Sequence, residues 1–266
     1  SADDVITAQV AGTYTGTIST ANTADGGDDN VLSLTNTADI KGATIDDNFD
    51  KLTLANDATV TMTGTQYASF GGTITAGGTG EGITLSTDGV AIGTAHAAIE
   101  TYTTANGTNS ITLSAVGQNV TGGTGNDTVS VAGLTATGTL ALSSGTDVLI
   151  ATNGADISGL NSGGVTTAET LNISTEAAIG ITMTEAQYDA FVAGTITAAD
   201  GNDTITIAAG DIVSIATDTG IGAYVIGEDN TNALTVTVGA TDDVDITSTS
   251  ADDVITAQVA GTYTGT

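Results

Sequence analysis

Residues 1–17 read SADDVITAQVAGTYTGT, and residues 250–266 read SADDVITAQVAGTYTGT again, letter for letter. A match of that length does not arise by chance. It marks the chain as one period of a tandem array together with the start of the next, and repeats decide the fold before any local propensity does. Inside the period a shorter unit recurs. VTMTGTQYASFGGTITA, starting at Val60, answers ITMTEAQYDAFVAGTITA, starting at Ile181. TNTADIKG at Thr35 answers TNGADISG at Thr152, Glu81-Gly82-Ile83-Thr84-Leu85 answers Asp203-Thr204-Ile205-Thr206-Ile207, and Ile99 with Tyr102 answers Ile221 with Tyr224. The unit is about 120–125 residues and occurs twice per period. The expected organisation is residues 1–24 as the end of a preceding unit, 25–144 as one unit and 145–266 as the next.

Short alternating runs fill these units: Val31-Leu32-Ser33-Leu34, Leu52-Thr53-Leu54, Ile83-Thr84-Leu85-Ser86, Ile111-Thr112-Leu113-Ser114, Val129-Ser130-Val131 and Leu234-Thr235-Val236-Thr237 among them. Period-two alternation broken by Gly, Asn and Asp every ~8–12 residues is a strand-and-turn rhythm. Two all-β folds fit it, a parallel β-solenoid (a β-helix or β-roll) and a string of β-sandwich domains. Composition favours the solenoid. There is no Pro to mark a linker, no Trp and only 3% aromatic residues, so the core must be thin and filled by Val, Ile, Leu and Ala. Narrow coils that bury small faces against one another meet that condition. One helix per unit is expected. Thr184-Glu185-Ala186-Gln187 and Thr63-Gly64-Thr65-Gln66 carry the spacing of a capping box. Met183, Gln187 and Phe191, like Met62, Gln66 and Phe70, recur on one helical face.

The formal charge is −29, with Lys41 and Lys51 the only basic residues. No basic patch can form, which argues against nucleic acid and anionic lipid as partners. No apolar run reaches the ~18 residues of a membrane helix, so membrane insertion is not expected. Catalysis finds little support. The chain has no Cys, and its single histidine, His96, answers Asp218 in the second unit, so the imidazole lies outside the shared design. The chain is therefore read as a non-enzyme.

The residues left with chemistry are the acidic turns. Gly122-Gly123-Thr124-Gly125-Asn126-Asp127-Thr128-Val129-Ser130 resembles the calcium-binding nonapeptide of RTX-type bacterial secreted proteins, and Asp200-Gly201-Asn202-Asp203 is a degenerate second copy. The resemblance implies calcium held by Asn126 and Asp127, and by Asn202 and Asp203. The Asp-rich turns at Asp28-Asp29 and Asp252-Asp253 extend the candidate ligands. Residues 113–121 and 131–139, on either side of the motif, do not repeat it. The alternative is that these Asn and Asp side chains bond nearby backbone.

Over nearly its whole length the chain resembles the long Thr/Gly-rich repeat proteins of bacterial surfaces, the large adhesins, surface-layer and matrix proteins. That resemblance implies an extracellular, structural role: one period of a self-associating filament or surface layer, stabilised by cations. The alternative it leaves is an adhesin stalk or module that binds a glycan, a partner cell, or an ice or mineral surface. Thr-x-Thr runs such as Thr61-Met62-Thr63 and Thr235-Val236-Thr237 place Thr on one face of a strand and resemble the hydroxyl–methyl arrays of ice-binding proteins, although their spacing along the chain is irregular.

Overall fold

The computed structural model describes residues 4–20, 30–70, 73–152, 154–161, 167–173, 180–191, 196–198, 202–209, 214–216, 220–227, 234–237, 244–248 and 255–257. The chain forms two compact units, residues 1–127 with 141–145, and residues 128–140 with 146–266.

In the first unit the chain runs through β1 (Val5–Ala8), β2 (Gly12–Ile18), β3 (Val31–Leu34), β4 (Ala38–Ile45), β5 (Lys51–Leu54) and β6 (Thr59–Met62). Helix α1 (Gly64–Ser69) follows, then β7 (Ile74–Ala76), β8 (Gly82–Leu85), β9 (Ala91–Thr94), β10 (Thr101–Thr103), β11 (Ser110–Leu113) and β12 (Asn119–Thr121). The order within sheets is β1-β3-β5-β7 on one side and β2-β4-β6-β8-β10-β12 on the other, with β9 beside β11. Each strand therefore pairs with the strand one coil away, not with its neighbour in sequence. A coil advances the chain by 18 residues between Asn109 and Asp127 and by 26 between Asp4 and Asn30.

The second unit contains β13 (Thr128–Ala132), β15 (Val148–Thr152), β16 (Thr170–Ile173), β17 (Gly180–Thr184), helix α2 (Glu185–Phe191), β18 (Ile196–Ala198) and β19 (Asp203–Ala209). It continues through β20 (Ser214–Ala216), β21 (Ile221–Ile226), β22 (Leu234–Thr237), β23 (Asp245–Ser248) and β24 (Ile255–Ala257). The short β14 (Leu140–Ala141) spans the border of the two units in sequence. The pairings are β13-β15-β16-β18, β17-β19-β21-β23 and β20-β22-β24.

Among the described strands the pairings are parallel, as in Val31↔Lys51, Val60↔Ile83, Leu149↔Leu171 and Ile205↔Tyr224. The fold is a parallel β-solenoid, 51% strand and 7% helix. Antiparallel β-sandwiches, the other fold that the strand rhythm allows, are thereby set aside.

Alternation along each strand becomes columns across coils. Leu32, Leu52 and Ile74 stack in register, as do Leu34, Leu54 and Ala76. On the opposite side Val60, Ile83, Tyr102 and Val120 form one column. In the second unit Val129, Leu149, Leu171 and Ile196 stack, and so do Ile181, Ile205 and Tyr224. Nearly all of these side chains are fully buried. Each Leu or Ile so enclosed contributes about 1.5–3 kcal/mol of hydrophobic stabilisation. Residues paired by the internal repeat occupy similar places: Met62 is the last and Met183 the next-to-last residue of a strand that leads into a helix, and Tyr102 and Tyr224 each sit in a column after two aliphatic residues.

Both helices among the described residues form where the capping box predicts them. Thr63 caps α1, its hydroxyl accepting from Gln66 N–H at 3.1 Å, while Gln66 Oε1 accepts from Thr63 N–H at 2.8 Å. Thr184 and Gln187 repeat the exchange at α2. Both glutamines do more than cap. Gln66 Nε2 donates to Ile40 O and Ala43 O, at 2.7 and 2.8 Å. Gln187 Nε2 donates to Ile157 O and Leu160 O, at 2.7 and 2.9 Å. A third buried glutamine, Gln118, uses the same arrangement without a helix: Oε1 accepts from Ser114 and Ala115, and Nε2 donates to His96 O and Ile99 O. Each glutamine clasps the backbone of two coils at once.

Replacing Gln66 by Leu keeps the volume but strands two carbonyls and one N–H. The variant is expected to lose about 2–4 kcal/mol, read as a lower denaturation midpoint in guanidinium chloride with an unchanged slope.

Candidate functional site: the acidic corners

The residue immediately before a strand is the recurrent polar position of this fold. Its backbone N–H donates to the side chain of the equivalent residue one coil later. Asp4 N–H donates to Asn30 Oδ1 at 3.0 Å, and Asn30 N–H to Asp50 Oδ2 at 3.2 Å. Val90 N–H donates to Asn109 Oδ1 at 2.9 Å, and Asn109 N–H to Asp127 Oδ1 at 3.0 Å. Asp147 N–H donates to Glu169 Oε2 at 2.6 Å, and Glu81 N–H to Glu100 Oε2 at 3.0 Å. Coil reversal turns these N–H groups away from water, and a buried donor without an acceptor costs about 1–3 kcal/mol. Asp, Asn and Glu at the corner supply the acceptor.

Asp127 shows the corner in full. It is buried, and Asn109 donates to its Oδ1 through both the backbone N–H and Nδ2, the latter at 2.8 Å. Asn109 Nδ2 also bonds Ala105 O and Gly107 O, which closes the preceding turn. The glycines of the motif serve stacking of turn on turn. A Cβ at Gly125, which has φ +125°, would lie 2.7 Å from Gly107 O, and one at Gly123 would lie 2.3 Å from Ala105 O. Burial raises the Asp127 pKa, and the two Asn109 hydrogen bonds pull against that rise.

Asn126 is exposed while its neighbour Asp127 is buried, and Asn202 and Asp203 divide the same way. Consecutive residues of the corner thus point to opposite sides of the coil, so each pair does not converge on one point. Among the described residues no three His, Cys, Asp or Glu side chains gather as a metal-holding group. Asp28, Asp29, Asp252 and Asp253 lie outside the described residues.

A second feature lies on the opposite corner. Glu81 is fully buried, and neither carboxyl oxygen has a hydrogen-bond partner among the described residues. Burial raises its pKa; the adjacent Glu100 carboxylate and the Asp57 charge add to the rise. A proton on Glu81 relieves the repulsion between it and the Glu100 and Asp57 charges. His96 lies nearby in the chain, half-buried, with Tyr67 edge-on to its ring at 5.9 Å between centroids. Its backbone N–H donates to the Tyr102 hydroxyl at 2.7 Å. Burial lowers the imidazole pKa, so the ring is neutral at physiological pH.

The corner ladder and the glutamine clasps were missed by motif reading. The signal for the ladder was present in the sequence, as an Asp, Asn or Glu directly before successive alternating runs. No known family, curated protein or solved structure matches the chain. No helix among the described residues is long and apolar enough to cross a membrane. What fold and corners define together is a parallel β-solenoid whose coils are joined by side chain to backbone hydrogen bonds.

The Glu81 arrangement fixes a pH dependence. A carboxyl with a raised pKa in the folded state binds more protons folded than unfolded. Its stabilisation is complete below the ordinary glutamate range and is lost as pH rises through the raised value. Thermal midpoints are therefore expected to fall from mildly acidic toward neutral pH, and Glu81→Gln should flatten that fall and raise the midpoint at pH 7.

Proposed function

We propose that this is a structural protein, one period of a tandem-repeat β-solenoid that associates end to end into an extracellular filament or surface layer. The observation that carries the reading is where the polar side chains go. Asn30, Asn109, Asp127, Gln66, Gln118 and Gln187 are committed to bonds between coils, which leaves them to hold the coil and not to act on a substrate. The internal repeat supports it further, because a solenoid built of recurring units grows by adding coils of the same kind. Electron microscopy of the purified chain at increasing concentration tests this. The expected result is unbranched filaments or sheets whose fibre diffraction shows the ~4.8 Å coil spacing. A chain that stays monomeric in light scattering at every concentration and salt condition would remove the proposal.

Divalent cations belong to the same proposal through charge. A chain of net charge −29 repels itself, and cations bound only by the folded state oppose that repulsion. Corners that offer few converging oxygens imply weak sites, with Kd on the order of 10⁻⁴–10⁻³ M. At 10 mM calcium one such site adds about 1.4–2.7 kcal/mol. Scanning calorimetry at low salt is expected to show a higher midpoint with calcium than with chelator. Because Asp127 is enclosed by Asn109, Asp127→Asn should leave most of that difference in place.

One observation favours a second reading, binding to an ordered surface. Thr61, Thr84, Thr103 and Thr121 stand in register on β6, β8, β10 and β12, with Thr59 and Thr101 in the column beside them. Coils of unequal length place the Thr61, Thr84, Thr103 and Thr121 hydroxyls in one straight row, ~4.8 Å apart between coils, while the column beside it is interrupted by Gly82 between Thr59 and Thr101. Ice growth in the presence of the protein decides this reading: altered crystal shape that Thr84→Tyr with Thr103→Tyr abolishes would support it.

A further inference from the structure

Charge is unevenly spread over this coil. The chain carries 31 Asp and Glu against two Lys. On the strands of the first unit, β1 to β12, Asp39 is the sole acidic residue, and both lysines, Lys41 and Lys51, stand on these strands too. Nearby acids lie off the strands. Asp47, Asp57 and Asp88 are in turns, and Glu81 and Glu100 directly precede β8 and β10.

The outward face of β4, β6, β8, β10 and β12 shows the consequence. One row begins at Asp39 and continues in register through Thr61, Thr84, Thr103 and Thr121. The row beside it, from Thr59 to Asn119, holds only Thr, Gly and Asn. Asp39 is compensated within the face, because Lys41 Nζ lies 3.0 Å from its Oδ2. The strip is therefore neutral, on a chain of net charge −29. The second unit repeats the pattern, with Ser130, Ile150, Asn172 and Thr197 in register on β13, β15, β16 and β18.

A neutral strip matters most to a partner of like charge. An uncharged partner is not repelled by any side of this coil. A second copy carries the same −29, so its approach is opposed wherever carboxylates face one another and unopposed where strip meets strip. Both strips have the same ~4.8 Å row spacing, which lets small Thr side chains interdigitate along their whole length.

We propose that the outward strip of β4 to β12 is a lateral interface between two copies of this chain, the same strip on each, which joins filaments side by side. This deepens the structural reading above and rests on it. The strip measures about 24 Å across its strands and about 10 Å along them, on the order of 250 Å², against ~800 Å² per partner in a stable complex. Single chains thus pair weakly, and the contact gains strength where strips recur along an array. Lys41 keeps the strip neutral; without it, carboxylates of like sign would meet where water is excluded.

Electron microscopy and light scattering on the full chain test this, from about 0.1 to about 1 M sodium chloride, across which the screening length falls from about 10 to about 3 Å. Side-by-side pairing is expected to increase with salt, as the acidic corners are screened. Lys41→Glu and Lys51→Glu each lower the net charge by two, but Lys51 is on β5, outside the strip. At equal salt Lys41→Glu is expected to pair at least about tenfold more weakly than Lys51→Glu. Asp39→Lys combined with Lys41→Glu reverses the ion pair and should restore pairing, which also shows that the lost pairing is not lost folding. Equal weakening by Lys41→Glu and Lys51→Glu overturns the inference, since net charge would then be the cause. Unchanged self-association of Lys41→Glu with lost shaping of ice crystals overturns it as well, and assigns the strip to an ordered surface. Single filaments that never pair at any salt leave the structural reading standing without the lateral interface. Lateral dimers sensitive to Lys41→Glu, with no filaments, keep the interface and remove end-to-end growth. If the unchanged chain does not associate at all, both fall.

Discussion

Each coil of this protein must turn twice, and every turn takes backbone N–H groups out of water beside a core of Leu, Ile and Val. The remainder of the structure depends on meeting those donors. The solution is a side chain placed directly before a strand that accepts from the corner one coil earlier, as Asn109 does for Val90 and Asp127 does for Asn109. Three buried glutamines solve the converse problem, reaching two carbonyls with one amide. These bonds fix which coil follows which, so they set the register that lets aliphatic columns form.

The columns explain how a chain with 3% aromatic residues holds together. A globular core needs large side chains to reach its centre. A two-sided coil needs only side chains long enough to meet across a narrow gap. Leu32 over Leu52 over Ile74 is the repeating solution. The few aromatics go to places that recur between the repeats. Tyr188 packs edge-on to Tyr224 at 6.0 Å, and Tyr67, whose pKa is raised by burial, packs edge-on to His96 at 5.9 Å. The acidic excess follows from the same geometry. A narrow coil has little interior and much surface, and its corners favour carboxylates as acceptors. A buried carboxyl that lacks a donor among the described residues, such as Glu81, has its pKa raised and becomes a source of pH sensitivity.

Unequal coil lengths matter as much as equal ones. The advance of 18 residues at one corner and 26 at another is absorbed in turns. The strands stay aligned, which is why Thr residues at irregular sequence spacing come out in a straight row from Thr61 to Thr121. A regular row of Thr hydroxyls results, set by the pairing of the strands and not by the spacing of Thr along the chain.

Much of the fold was legible in the residues. Alternation in VLSL, KLTL and SITL specified strands with one buried face, because a period of two allows no other placement of the Leu side chains. The Thr63 and Thr184 capping boxes specified the helices, because the bonds involved span three residues. The exact duplication of residues 1–17 specified an array. Pairing partners were not legible. A parallel strand bonds a residue some twenty positions away, and nothing local distinguishes that from a hairpin partner. For the same reason Asp127 was legible as a turn carboxylate, but not that its Oδ1 accepts from Asn109 a full coil earlier. The sequence by itself determined which segments are strand, helix and turn, since those are decided within a few residues. Only the tertiary structure decided what the turns are for, since the groups that satisfy them arrive from the neighbouring coil.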